Sequence, residues 1–214
     1  MKISKRLEKI ITLVEEDTNV IDVGCDHALI DIYLTLNKKN TCIATDINKN
    51  ALDIAKQNIK KYKLENKIKT YLTDGLKNIK IPDNNTIIIS GMGTNTILKI
   101  VKGYEKQIDN LIIESNNDHY LLRKEIVKLG FYIDEELIVK DRKKYYVIIR
   151  FKKSYKKYKK FEYLFGTKLD NLEYIEYLIN KNKTIINKLP KKNIIQKLKL
   201  KSEINYLKKF IKRK

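Results

Sequence analysis

The chain has 214 residues, 43% of them apolar, enough for one sizeable domain or for a domain of about 150 residues with an appendage. Its formal net charge is +20, from 46 Lys and Arg against 26 Asp and Glu, so the expected partner is a polyanion such as nucleic acid. Two cysteines give no disulfide framework and no metal-ligand spacing, and no apolar run approaches a membrane span, so a secreted disulfide scaffold, a zinc site and a membrane protein are excluded.

The first pattern is a helix with Leu7, Ile10, Ile11 and Val14 on one face. Glu8, Glu15 and Glu16 interrupt it and no small-residue cleavage site follows, so it is not a signal peptide, and a cytoplasmic protein is expected. Strand-length apolar runs then cover 19–25, 41–47, 68–74, 86–92 and 110–115. Helical spacing covers 26–36, 48–62, 94–101 and 117–129. The runs Ile87 to Ile89 and Leu111 to Ile113 are apolar at consecutive positions, as in parallel strands buried on both faces. Alternating strands and helices predict an α/β, doubly wound sheet with right-handed crossovers.

The alternation stops after Leu129. Two strand-like runs, 131–139 and 145–151, are joined by a charged turn and read as an antiparallel pair at the sheet's edge. A five-stranded α/β sheet closed by such a hairpin resembles the plan of class I methyltransferases. The texture changes again at Phe151, which sets expected domains at 1–151 and 152–214. Lys152, Lys153, Lys156, Lys157, Lys159 and Lys160 form a basic linker with Tyr155 and Tyr158 between them. These tyrosines either stack on exposed bases or pack where the linker meets the sheet. Phe161, Phe165, Leu172, Ile175, Ile179, Ile186 and Leu189 then follow one seam, with Lys168 and Asn182 as polar exceptions, and predict one long helix ended by Pro190. Leu200, Ile204, Leu207 and Ile211 predict a second, making an antiparallel helical hairpin in which a buried Asn182 would fix register. Residues 151–214 hold 20 Lys and Arg against 5 Asp and Glu, a net of +15, whereas residues 1–150 hold 26 against 21, a net of +5. A charge so concentrated predicts an RNA-binding arm.

Ligands of open α/β sheets bind at the carboxyl ends of the strands. The first strand ends at Gly24, followed by Cys25, Asp26 and His27, where a dinucleotide-binding turn would carry further glycines. Without them a pyrophosphate lacks room against the backbone, which argues against NAD or FAD. Asp26 is also a good N-cap for the helix that follows. Asp46 ends the second strand about twenty residues on, where a carboxylate can accept both hydroxyls of a ribose. Asp74, before Gly75, stands where it suits the exocyclic amine of an adenine. Gly91, Met92 and Gly93 let a flat group approach the fourth strand. Together these strand ends match S-adenosylmethionine.

The start S-K-R-L-E, the motif D-V-G-C-D-H-A, the G-M-G turn and the ending K-K-Y-Y-V-I-I resemble the bacterial tRNA (adenine22-N1)-methyltransferases over about residues 3–150. The resemblance implies methyl transfer from S-adenosylmethionine to N1 of an adenine in the tRNA D-arm. The family usually carries Ser at Cys25, an aromatic at Leu29, Pro at Asp31, Glu at Asp46, Gly at Thr94, and Gln-Pro-Asn at 114–116. Adenine N1 already has an in-plane lone pair, so it needs alignment and tolerance of developing positive charge rather than a strong base. Asp26, at the mouth, is the expected catalytic residue. Cofactor contacts are expected from Asp22, Gly24, Cys25, His27, Asp46, Ile47, Asp74, Gly75, Gly91 and Met92. Asn116, Lys156, Lys157, Lys159 and Lys160 are expected on the tRNA. No metal, membrane or obligate protein partner is expected. Competing readings are another class I RNA or small-molecule methyltransferase, a non-enzymatic nucleic-acid binder, and an NAD enzyme disfavoured by the missing glycines.

Overall fold

A computed structural model describes residues 3–212; the two residues at either end, which belong to the expected ranges 1–151 and 152–214, lie outside the described residues. Helix α1 (Lys5–Leu13) starts where the Ser4 hydroxyl accepts the Leu7 N–H at 3.3 Å, and it buries Ile10, Ile11 and Leu13. Five strands follow: β1 (Asn19–Val23), β2 (Thr41–Asp46), β3 (Ile68–Leu72), β4 (Asn85–Met92) and β5 (Asn110–Ser115). All five are parallel and lie in the order β3-β2-β1-β4-β5. Their crossovers carry α2 (Leu29–Asn37), α3 (Lys49–Lys61) and α4 (Thr94–Val101), while β3 reaches β4 through a loop. Ile87, Ile88 and Ile89 on β4 are fully buried, as the consecutive apolar positions require of a central strand.

After α5 (His119–Lys128) come β6 (Phe131–Asp141) and β7 (Lys144–Lys153), an antiparallel hairpin with β7 inserted between β5 and β6. The complete order is β3-β2-β1-β4-β5-β7-β6, the expected α/β methyltransferase-like sheet. Strand β6 is an edge. There the Ile133 N–H donates to the Tyr158 hydroxyl at 2.8 Å, and that hydroxyl donates to the Ile133 carbonyl at 3.3 Å. Tyr158 is therefore a packing residue, the second of the two roles open to it in the sequence. Tyr155 is exposed.

Two helix boundaries differ from the sequence reading. Helix α2 begins at Leu29 rather than Asp26, because Gly24, Asp26 and Ala28 all have positive φ (77°, 50° and 54°) and the chain winds before it becomes helical. The expected single helix over 161–189 is two helices, α6 (Lys160–Phe165) and α7 (Leu172–Lys188). Gly166, at φ 99°, separates them, and a Cβ there would lie 2.8 Å from Glu136 Oε2. The chain is drawn in by a buried ion pair. Arg123 Nε donates to Glu136 Oε1 at 2.7 Å, Arg123 Nη1 to the Tyr163 carbonyl at 3.0 Å, and the Thr167 N–H to Glu136 Oε2 at 2.6 Å.

That network keeps the linker and α6 with the sheet, so the chain divides into compact units of residues 1–167 and 168–214. The change of texture at Phe151 and this division are separate features. Within the second unit α7 packs on α8 (Ile194–Ile211), burying Ile175, Ile179, Ile204 and Leu207. Asn182 Nδ2 donates to Glu203 Oε2 at 3.1 Å, a buried polar pair at the seam. No helix among the described residues is long and apolar enough to cross a membrane.

Candidate active site

An open cleft of about 230 Å³ lies at the carboxyl ends of β1 and β4, where the chain switches direction across the sheet. Gly24 turns tightly there, and a Cβ on it would lie 2.5 Å from Met92 Cε. The Met92 side chain thus occupies the space a larger residue at position 24 would need. Asp22, Gly24, Cys25, Asp26, His27 and Gly91 all line this cleft.

Asp46 stands at its flank. One carboxylate oxygen accepts the Asp26 N–H at 3.2 Å and the other the Asn48 N–H at 2.8 Å. Asn48, not Asp46, caps α3. Each Asp46 oxygen keeps a further acceptor direction. Asp26 does not cap α2, since its neighbour Ala28 is the N-cap and makes no side-chain bond. The Asp26 carboxylate is exposed, with His27 Nε2 at 3.7 Å.

Behind the cleft two carboxyls are buried against each other. Burial pushes Asp22 well above the usual carboxylate range, with Asp31 and Asp46 adding to it. Burial likewise pushes Asp31 up to about 7. Among the described residues no side chain other than Asp22 faces the Asp31 carboxyl with a hydrogen bond, and a proton shared between the two satisfies both. Cys25 and Cys42 are free and buried, and burial pushes both thiols up, which makes them poor nucleophiles.

The sequence reading missed the cation at this site. Arg6 of α1 lines the cleft, and its Nη1 lies 2.8 Å from Glu114 Oε2 and 3.2 Å from Ser90 Oγ. Glu114 is 1% exposed and also accepts the Gly91 N–H at 3.0 Å and the Ser90 hydroxyl at 3.1 Å. The signal was available, because only five of the 46 cations are Arg. Thr94, where a second glycine would make the loop freer, is buried and ties β4 to β5, its hydroxyl lying 2.8 Å from Ser115 Oγ and 2.6 Å from the Asn117 carbonyl.

Other expected residues fall elsewhere. Asp74 is exposed, ion-paired with Lys77, and faces a separate depression beside α4. Gly75 is buried and Ile47 is exposed. Asn116 lines a neighbouring cavity that shares Arg6 and Gly91 with the cleft. Lys156, Lys157, Lys159 and Lys160 are all exposed. Among the described residues no group of three or more His, Cys, Asp or Glu could hold a metal.

A methyltransferase-domain family model matches residues 3–149. The chain is 33% identical over 177 residues to a Mycoplasma genitalium protein provisionally named tRNA methyltransferase MG248, covering 79% of each. It is 30% identical over 154 residues to the Bacillus subtilis tRNA (adenine(22)-N(1))-methyltransferase, covering 70% of this chain and 65% of that one. The chain belongs to the tRNA (adenine(22)-N(1))-methyltransferase family. A further family structure, M. capricolum TrmK in complex with the cofactor product S-adenosylhomocysteine, matches with a TM-score of 0.87 at 33% identity, over 99% of each chain.

The residues of this chain fit the family's cofactor. In a protein of net charge +20, Asp22 and Asp26 line one cleft and Asp46 stands beside it, accepting the Asp26 N–H. Such a set of acceptors suits a ribose diol and a ligand bearing cationic groups, and it repels a pyrophosphate. The protein is an S-adenosylmethionine-dependent methyltransferase of the α/β Rossmann-like fold.

Proposed function

We propose that the protein methylates N1 of the adenine at position 22, in the D-arm of tRNA, and works in the cytoplasm. The observation that carries this reading is the acidic cleft at the β1 and β4 ends, behind the single-glycine turn at Gly24, in a chain matched over 99% of its length by a family structure holding S-adenosylhomocysteine. The cofactor supplies an electrophilic methyl carried on a sulfonium. Gly24 gives it backbone access, Asp46 accepts the ribose hydroxyls, and Asp22 faces its positive end. Cys25, His27, Gly91 and Met92 shape the surrounding walls.

Adenine N1 has its lone pair free in the ring plane, so no residue has to remove a proton first. The ring becomes cationic instead. Asp26, exposed at the mouth, is placed to stabilise that charge. The target adenine has to leave its stack to reach the cleft. Residues 152–214 form the tRNA-binding arm, with Lys156, Lys157, Lys159 and Lys160 on phosphates. The net +15 of residues 151–214 is the support for that role.

The test is incubation of the protein with unmodified tRNA and S-adenosylmethionine, followed by nuclease digestion, mass spectrometry and position mapping. 1-Methyladenosine at the D-arm adenine is the expected product. A methyl group on another atom or in another arm overturns the reading.

A further inference from the structure

Beside the cofactor cleft, and sharing Arg6 and Gly91 with it, lies a second cavity of about 550 Å³. It is bounded by α1, the ends of β4 and β5, and the turn between β6 and β7. Its wall is the ring of Tyr146, half-buried, with the Arg6 guanidinium 5.4 Å and Lys144 Nζ 4.8 Å from the ring centroid. At its lip stand Arg142 and Lys144, both exposed. Asn116 holds a fixed amide between them, donating from Nδ2 to the Gly91 carbonyl and accepting Lys144 Nζ at 3.3 Å on Oδ1.

The charges separate the roles of these groups. A purine methylated at N1 becomes a cation, and an unpaired cation against it would oppose the reaction. Arg6 is not unpaired, because Glu114 neutralises it at 2.8 Å from a fully buried position. Lys144 and Arg142 are exposed at the rim, and cations there suit a phosphate. The floor is thus neutral, the wall aromatic and the lip cationic. An amide bonds adenine through N6 and N7 on the edge away from the backbone, and that contact leaves N1 free. The carboxylate of Asp141, which accepts the Arg6 N–H at 3.4 Å, completes the lining.

We propose that this cavity seats the extruded nucleotide, with the adenine ring on Tyr146, its N6–N7 edge on the Asn116 amide and its phosphate on Lys144 and Arg142. The inference rests on the adenine-N1 reading above and adds to it the residues that hold and select the base. It makes Tyr146 and Asn116 substrate contacts and Arg6 a positioning residue, held through Glu114.

Full-length protein with tRNA and S-adenosylmethionine tests it in two ways. Tyr146→Ala should lower the single-turnover methylation rate by about tenfold or more, the loss expected of one stacking contact. Its cofactor affinity should stay unchanged, and Tyr146→Phe should recover the rate. The second way leaves the protein untouched. A tRNA carrying 7-deazaadenine at the target position lacks the N7 acceptor, and wild-type protein should methylate it about tenfold more slowly than normal tRNA, one bidentate contact being halved. In Asn116→Ala that difference should vanish, because the contact is already gone. Equal wild-type rates on the two tRNAs, or a Tyr146→Ala protein with the wild-type rate, overturn the inference while normal tRNA is still methylated. Absence of methylation on normal tRNA overturns the underlying reading instead.

Discussion

Glu114→Ala tests how the entrance to the cleft is built. The carboxylate is 1% exposed and has three donors in place: Arg6 Nη1 at 2.8 Å, the Gly91 N–H at 3.0 Å and the Ser90 hydroxyl at 3.1 Å. Breaking a fully buried ion pair by removing one partner costs about 3–5 kcal/mol. Arg6 is 28% exposed, so water recovers part of that, while the Gly91 N–H loses its acceptor at about 1 kcal/mol or more. The net expectation is about 2–4 kcal/mol. Arg6→Ala strands Glu114 instead and should fall in the same range of about 2–4 kcal/mol. The double variant loses both charges together, so its loss should be smaller than the sum by about 1.5–3 kcal/mol. Glu114→Gln keeps an acceptor and the side-chain shape, and should lose about 1 kcal/mol. Urea unfolding of the wild type and the four variants, with unchanged slopes, gives the cycle. Single losses that add to within about 0.5 kcal/mol would refute the coupling.

Asp46→Ala should weaken S-adenosylmethionine binding by about 2–4 kcal/mol through two lost charged hydrogen bonds, with unchanged affinity in calorimetry removing Asp46 from the site. Asp26→Ala should lower the single-turnover rate far more than cofactor affinity, and its melting temperature should hardly move because Asp26 does not cap α2; a normal rate removes it from catalysis. Burial pushes Asp31 up to about 7 in the folded chain from the ordinary 3.8, so the folded chain binds more protons between those values and loses stability as pH rises through them. Asp31→Asn should therefore gain on the wild type from about pH 4 to about pH 7 and then level off, and parallel pH–stability curves would refute the buried pair. A chain ending after Thr167 should stay folded and bind S-adenosylmethionine, but bind tRNA more weakly and with a shallower salt slope, each lost phosphate contact removing about 0.7–0.9 from the slope. Equal slopes would take the helical hairpin out of tRNA binding.

The sheet was legible in the sequence because its central strands, such as Ile87 to Ile89, are buried on both faces and read as unbroken apolar runs. Gly24 and Asp46 were legible because they follow strand ends at a fixed spacing. The α6–α7 break was not, since the apolar seam continues across Gly166 and the cause is Glu136 on β6. Arg6 and Glu114 meet across 108 positions, and no local period records such a meeting. The scarcity of arginine was the available clue. Arg6, Arg123 and Arg150 each hold a carboxylate, as a planar guanidinium does better than lysine. Asp74, beyond the end of β3, is exposed and ion-paired with Lys77 three residues on.

The Tyr158 hydroxyl does for Ile133 what a neighbouring strand would do, giving its amide an acceptor and its carbonyl a donor. Strand β6 is eleven residues long and would otherwise offer an open rim to any extended peptide. Asp134 and Glu135 guard the same stretch, both turned to Arg150. The lysine-rich linker therefore closes one point of that rim as well as carrying charge.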